Sequence, residues 1–441
     1  MRIPGISDAG KLHRGGEWSS AGASEVVAPR PVEYDFARRA PLDVGCEPAA
    51  PERDGRRPHS SRTSSEDPVS ERPTESSAEQ DYAARNGWDR AYEVFDAFEL
   101  PTYVGLPTFM NLPLVPEPAE IRRREVDVAI IGAPFDDAVS HRPGARFGPR
   151  AIREAQYTSG SIHSLQQGNE PFEILTVVDA GDANIVPAWI DRSHAMIYRK
   201  FLEVAETGAI PIVLGGDHSI TWPSATAIAE VRRPGTVGIV HFDAHADTAM
   251  DDWGVLAGHG TPMRRLIESG AVKGRNFVQV GLRGYWPPVE TFQWMQEQGL
   301  RYHFMKEIEE RGAEAVVAQA IDEALDGPDL IYLSLDIDVI DPGLAPGTGT
   351  PEPGGMLTRE VLRAIRQIVG AVDLAGMDIV EVSPPYDHAE TTAMAANRAA
   401  LEAISALAAR HAAGKAVRWP GRAPVEDRFP ASPREPHGHP G

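Results

Sequence analysis

From about residue 126 to residue 380 the chain alternates short apolar runs with longer segments whose apolar residues recur every three or four positions. The short runs are rich in Val, Ile and Leu, as strands buried on both faces are; the longer ones have the period of amphipathic helices. Eight strands are predicted: VDVAIIGAP from Val126, ILTVVDAGD from Ile174, AIPIVLGG from Ala209, TVGIVHFD from Thr236, FVQVGLR from Phe277, LRYHF from Leu300, LIYLSLDID from Leu330 and MDIVEV from Met377. Helices are predicted for AVVAQAIDEAL from Ala315, TREVLRAIRQIV from Thr358 and TAMAANRAALEAISALAARHA from Thr392. Strands alternating with helices of this length predict an α/β fold, with a parallel sheet covered on both faces.

The flanks lack such a pattern. Residues 1–80 are rich in Pro, Ser, Glu and Arg, and residues 414–441 carry closely spaced prolines, so both are expected to be disordered around a domain spanning 81–413. His437 and His439 read as solvated tail residues. An amphipathic stretch, WDRAYEVFDAFEL from Trp88, followed by PTYVGLPTFMNLP, is expected to pack as a lead-in on the domain or on a neighbouring subunit.

The 441 residues suffice for one large domain with terminal extensions, and the formal net charge of −21 argues against a nucleic-acid partner or an anionic membrane surface. With Cys46 alone, neither an intrachain disulfide nor a thiolate metal site is available. The opening residues lack the apolar core of a secretory signal, and no apolar run approaches the roughly 18 residues of a membrane span. A soluble, cytoplasmic protein is expected.

Open α/β sheets place their sites at the carboxyl ends of strands, and polar residues concentrate there. The third strand runs into GGDHS (Asp217, His218), the fourth into HFDAHAD (Asp243, His245, Asp247), and the seventh into SLDIDVIDP (Asp336, Asp338, Asp341). If the chain stays extended, alternate residues share a side, so Asp243, His245 and Asp247 converge, as do Asp336 and Asp338. Taken singly, each acid could be an ordinary cap or turn residue. Together, four carboxylates at the ends of apolar strands repel one another unless cations neutralise them. Two divalent ions balance four aspartates, with two imidazoles completing the shell. Oxygen and nitrogen donors without thiolate suit Mn²⁺ and related ions, and such a pair can make water nucleophilic near neutral pH.

GGDHS, FDAHAD and SLDIDVIDP, in this order and spacing, resemble the three metal-binding motifs of the ureohydrolase family, which includes arginase, agmatinase and guanidinobutyrase. The resemblance covers roughly residues 100–410. It takes in SHRPGARFGPRAIREA, GTGTPEPGG and MDIVEVSPPYD, which look like the agmatinase branch. It implies a three-layer α/β/α domain with an eight-stranded parallel sheet, and two Mn²⁺ per subunit, with Ni²⁺ as the other candidate. By resemblance, His218, Asp243, Asp247 and Asp336 would hold one ion, and His245, Asp243, Asp336 and Asp338 the other. Glu381 matches the carboxylate that grips a guanidinium, and His259 in AGHGTP the histidine that moves a proton. A homo-oligomer, trimer or hexamer, is also implied. FDAHAD has Ala246 where many members carry Thr; by alternation Ala246 faces away from the metals and should affect packing only.

The implied reaction is release of urea from a guanidino compound, with agmatine the expected substrate. Between Ala249 and His259 there is no Ser, Thr, Asn, Lys or Arg to hold a carboxylate, while Asp251 and Asp252 would attract an ammonium and Trp253 could line the tether. Arg142 or Arg283 could instead rescue carboxylate binding, so 4-guanidinobutyrate and free guanidine stay open. A catalytically silent ureohydrolase-like subunit is the alternative of another class. His241 reads as packed core, Asp217 and Asp341 as acids that orient ligands or close turns, and Arg142 and Arg146 as either substrate-facing or bonded within their loop.

Overall fold

The computed structural model of the protein describes residues 101–158, 162–232 and 236–421. The expected disordered segment 1–80, Cys46, the stretch from Trp88 to Leu100, and His437 and His439 lie outside the described residues.

All eight predicted strands form: β1 Val128–Ala133, β2 Val177–Asp182, β3 Ile210–Gly215, β4 Val237–Phe242, β5 Phe277–Leu282, β6 Arg301–Phe304, β7 Leu330–Asp336 and β8 Leu374–Val380. They build one sheet in the order β2-β1-β3-β8-β7-β4-β5-β6, with every neighbouring pair parallel. β8 starts three residues before the predicted Met377, because Gly376 interrupts the apolar run in sequence. In space the glycine has a packing reason: a Cβ there would sit 3.1 Å from the ring of Tyr332 on β7.

Side chains alternate between two cores. On β3, Ile210, Ile212 and Leu214 join the apolar cluster under helices Ala313–Ala324, Thr358–Ala371 and Thr391–Ala412. Val213 joins the opposite cluster, under helices Ile190–Ala205, Thr221–Arg232 and Pro262–Glu268. Crossover helices on both faces are what a parallel sheet requires, and the result is the three-layer α/β/α architecture. Ala246 is fully buried in the second cluster, in agreement with a packing role. No helix among the described residues is long and apolar enough to cross a membrane.

Two segments bind to the rim of the sheet. In the lead-in, Phe109 and Met110 are buried, and the Phe109 N–H donates to Asp179 Oδ2 at 2.8 Å. At the other end the packed chain runs past residue 413, the expected end of the domain. Val417 is buried, and the Trp419 N–H donates to the Gly208 carbonyl at 2.9 Å. Proline there forbids a continuing helix but not docking of an irregular segment.

One buried histidine gives the fold a pH dependence. His194 lies edge-on to Phe135 and Trp222, with Nε2 2.9 Å from Ser219 Oγ. Burial, opposed only weakly by Asp191, holds its pKa down to about 4. The unfolded value is about 6.5, so between these limits the unfolded chain binds the extra proton and stability falls as pH is lowered. The neutral imidazole's contribution is intact above pH 6.5 and reaches a loss of about 3 kcal/mol near pH 4. The unfolding free energy of wild type minus that of His194→Phe should therefore drop steeply from pH 6.5 to 4 in denaturant titrations. A difference independent of pH would refute this assignment.

Candidate metal centre

The four central strands, β3, β8, β7 and β4, are adjacent in the sheet, and each delivers a polar side chain at its carboxyl end. After β3 the chain turns sharply at Gly216, where a Cβ would lie 2.3 Å from the Phe135 carbonyl oxygen. Asp217 fixes that turn: Oδ1 accepts the Ser219 N–H and Oδ2 the Ala138 N–H, both at 3.0 Å. His218 is thereby aimed across the strand ends, fully buried.

Its Nδ1 lies 3.1 Å from Asp243 Oδ2, 2.9 Å from Asp247 Oδ2 and 3.0 Å from Asp336 Oδ2. No hydrogen bond satisfies this nitrogen. One imidazole nitrogen and three carboxylate oxygens converging on a single point are the donor set of a divalent cation, so the residues fit a metal ion. Next to it, His245 Nδ1 lies 3.1 Å from Asp338 Oδ2 and 3.5 Å from Asp243 Oδ1. Two candidate clusters of the expected ligands result, His218, Asp243, Asp247 and Asp336, and Asp243, His245 and Asp338; a third grouping, His218, His241 and Asp243, overlaps the first. All six expected ligands are brought together, and Asp243 is shared, with one oxygen toward each cluster. Asp336 falls in the first only. It caps the turn Ile337–Val339, and its Oδ1 accepts the Asp338 N–H at 2.9 Å.

Convergence does not come from strand alternation. β4 ends at Phe242, and Asp247 is reached through irregular backbone with φ of 51° at that residue; β7 likewise ends at Asp336. His241 is more than packed core. The acceptor-only carbonyl of Ala246 fixes the Gln279 side chain with its NH₂ inward, 2.7 Å away. That NH₂ also meets His241 Nδ1 at 3.0 Å, leaving Nε2–H to donate to Asp243 Oδ2 at 2.8 Å. Sequence alone had no signal for this bond, since it needs the pairing of β4 with β5.

The electrostatics are those of crowded buried acids. Burial and then the neighbouring carboxylates push Asp336 well above the usual carboxylate range, and Asp247 upward. Burial also raises Asp338, against the pull of His245. Asp243 is held well below that range, because His241, His218 and His245 outweigh its burial. The carboxylates raise His218 and His245 well above an ordinary imidazole, although burial works against them.

Glu381, just past β8, is buried with φ of 63°. Its Oε1 accepts the His218 N–H at 2.8 Å and lies 3.0 Å from His259 Nδ1, while Oε2 has no partner. Burial depresses the pKa of His259, but the charge and hydrogen bond of Glu381 prevail and raise it to about 9. On its other side, His259 Nε2 lies 2.6 Å from Ser140 Oγ. A cavity of about 360 Å³ opens over these groups, lined by Ser140, His245, Asp247, Asp252, Trp253, His259, Gly260, Trp286, Asp336 and Thr350. Ser140, Trp286 and Thr350 are not among the expected site residues, although Ser140 and Thr350 lie in the SHRPGARFGPRAIREA and GTGTPEPGG stretches and all three follow a strand's carboxyl end.

The remaining residues belong to loop construction. Asp341 accepts the N–H groups of Gly343, Gly354 and Gly355. Arg146 pairs with Asp136 and Asp137. Arg142 lies over the Tyr386 ring, and Arg283 donates to the carbonyls of Asp338 and Glu352. Asp251 accepts the Gly254 N–H at 2.7 Å, and Asp252 the Gly260 N–H at 2.9 Å.

Against known proteins, the model of the Arginase family matches residues 126–405. The chain is 39% identical over 321 residues to a proclavaminate amidinohydrolase of Streptomyces clavuligerus, covering 72% of this chain and 98% of that protein. The solved structure of that enzyme superposes with a TM-score of 0.64, covering 70% of this chain and 99% of the other. A guanidinobutyrase of Pseudomonas aeruginosa is 40% identical over 296 residues, 67% of this chain and 90% of the relative. A mitochondrial agmatinase of Gallus gallus is 36% identical over 304 residues, 69% of this chain and 86% of the relative.

Asp243 contributes an oxygen to each cluster, which generates a prediction. Elemental analysis of protein loaded with Mn²⁺ should give two ions per chain in wild type, and Asp243→Ala should lose both. Retention of two ions by that variant would contradict the shared position.

Proposed function

The chain belongs to the arginase family, and on that premise we propose that it uses two divalent ions to release urea from a guanidino compound carrying an amine tail, agmatine above others. His218, Asp243, Asp247 and Asp336 would hold one ion, and Asp243, His245, Asp338 and Asp336 the other, with Mn²⁺ as the metal and Ni²⁺ as the alternative. Bound there, the pair supplies Lewis acidity that makes water nucleophilic near neutral pH. The observation that carries this reading is a pair of buried polar atoms without a hydrogen-bond partner: His218 Nδ1, facing three carboxylates, and Glu381 Oε2.

In the reaction, the oxygen of water adds to the guanidino carbon, the bond from that carbon to the tether nitrogen breaks, and the leaving amine takes up a proton. Glu381 orients the substrate: Oε1 is committed to His218 N–H and His259, so Oε2 remains for a guanidinium N–H. Gly349 keeps the approach open, since a Cβ there would stand 3.0 Å from Oε2. His259 holds its Nδ1 proton against Glu381 and faces the Ser140 hydroxyl through Nε2, a route by which a proton reaches the leaving amine.

The tail preference rests on the cavity lining, which beyond the metal ligands contains Asp252 and neither Lys nor Arg. Asp251 drops out of the argument, as its carboxylate closes the turn at Gly254. Arg283 is committed to backbone carbonyls and leaves the cavity acidic. Trp253 and Trp286 would flank an aliphatic tether or a terminal ammonium. A guanidino acid such as 4-guanidinobutyrate is the second reading, favoured by the relative named guanidinobutyrase. We further propose a cytoplasmic homo-oligomer, with residues 1–80 outside the catalytic domain.

Two measurements test these assignments. His259→Asn should keep both metal ions yet lower kcat by roughly 10²-fold, the lower range of general acid–base contributions; wild-type turnover would remove the proton-transfer role. On Mn²⁺-loaded enzyme, kcat/KM for agmatine should exceed that for 4-guanidinobutyrate, arginine and guanidine. Turnover of 4-guanidinobutyrate at an equal or higher rate would transfer the assignment to guanidino acids.

A further inference from the structure

Behind His218 lies a buried polar chain outside the substrate cavity. Asp378 on β8 is fully buried and sits directly across from Ser334 in the parallel register of β7 and β8. Its carboxylate receives three hydroxyls: Thr221 Oγ1 and Tyr332 OH on Oδ2, at 2.7 and 2.9 Å, and Ser334 Oγ on Oδ1, at 2.7 Å. A carboxylate only accepts, and a serine hydroxyl has one hydrogen to give. With that hydrogen spent on Asp378, Ser334 Oγ can only accept from its other neighbour, His218 Nε2, at 3.0 Å. His218 Nε2 therefore carries a proton, so the neutral ring, the form that binds a cation, turns its Nδ1 lone pair toward Asp243, Asp247 and Asp336.

We infer that Asp378 is a positioning residue for the metal centre: through Ser334 it fixes the tautomer of His218 that can ligate a cation. The inference rests on the proposed metal-binding reading for its consequence, but its first step concerns only where one proton sits. It gives a role to a carboxyl group that lies in the middle of an apolar sheet and is bonded to three hydroxyls. The direction of each bond follows from the acceptor at its far end.

Asp378→Asn tests it at nearly constant shape. Thr221 and Tyr332 still require an acceptor at the Oδ2 position, so the amide oxygen goes there and the NH₂ faces Ser334. Ser334 must then donate to His218 Nε2, which drives the proton to Nδ1, where a cation would bind. Removing a partner that orients a metal-ligating histidine typically weakens metal binding about 10- to 100-fold. Mn²⁺ titrations should show a loss of this size at one of the two sites in Asp378→Asn. A smaller loss is expected in Ser334→Ala, which cuts the chain without reversing it. Equal Mn²⁺ affinity of wild type and Asp378→Asn would overturn the inference. Should Asp378→Asn fail to fold, ¹⁵N shifts of His218 in histidine-labelled wild-type protein still decide, because a bare, unprotonated Nε2 overturns it. Absence of Mn²⁺ binding by wild type would instead refute the metal reading, while the ¹⁵N result still settled the tautomer.

Discussion

Three carboxylate oxygens within about 3 Å of one imidazole nitrogen, deep at the mouth of an apolar sheet, form the arrangement on which the rest of this molecule depends. Like charges so placed repel strongly, and burial removes the water that would otherwise screen them. A fold tolerates this only if something else holds each carboxylate in place. Here the holding groups are backbone N–H donors at turns, as for Asp336 under Asp338, or neighbouring imidazoles, as for Asp243 beside His241. The sheet supplies the frame, because its four central strands end side by side and bring acids from distant parts of the chain to one point.

Around that point the polar groups form directed chains, each ended by an atom that cannot reverse its role. Ala246 C=O fixes Gln279, which fixes His241, which donates to Asp243. Asp378 fixes Ser334, which accepts from His218. Asp217 ties the turn before His218 to the loop after β1. In a medium of low polarity such chains are rigid, because an unmade hydrogen bond costs far more there than at the surface. Strained backbone is concentrated in the same place. Asp247 and Glu381 have positive φ, a conformation that costs about 1–3 kcal/mol for a residue other than glycine and persists only where its surroundings hold it.

The cavity above is built differently. Its walls come from loops, among them the aromatic Trp286 after β5 and the Asp251–Gly260 segment, where Asp251 and Asp252 close local turns while His259 reaches across to Ser140 and Glu381. The clustered acids and imidazoles therefore sit at strand ends, and the cavity wall on loops.

The sequence by itself determined the eight strands, the two-sided burial of the sheet and the identity of the six clustered donors. These are legible because apolar period and strand-end position are local properties. It also pointed to His259 and Glu381 through their motifs. Tertiary structure alone decided that Asp336 joins only one of the clusters that share Asp243, that His241 supports Asp243, that Asp251 closes a turn, and that Asp378 lies behind His218. Each of these depends on strand order and register, which join residues far apart in the chain; periodicity records which face a side chain takes, but not which partner waits there.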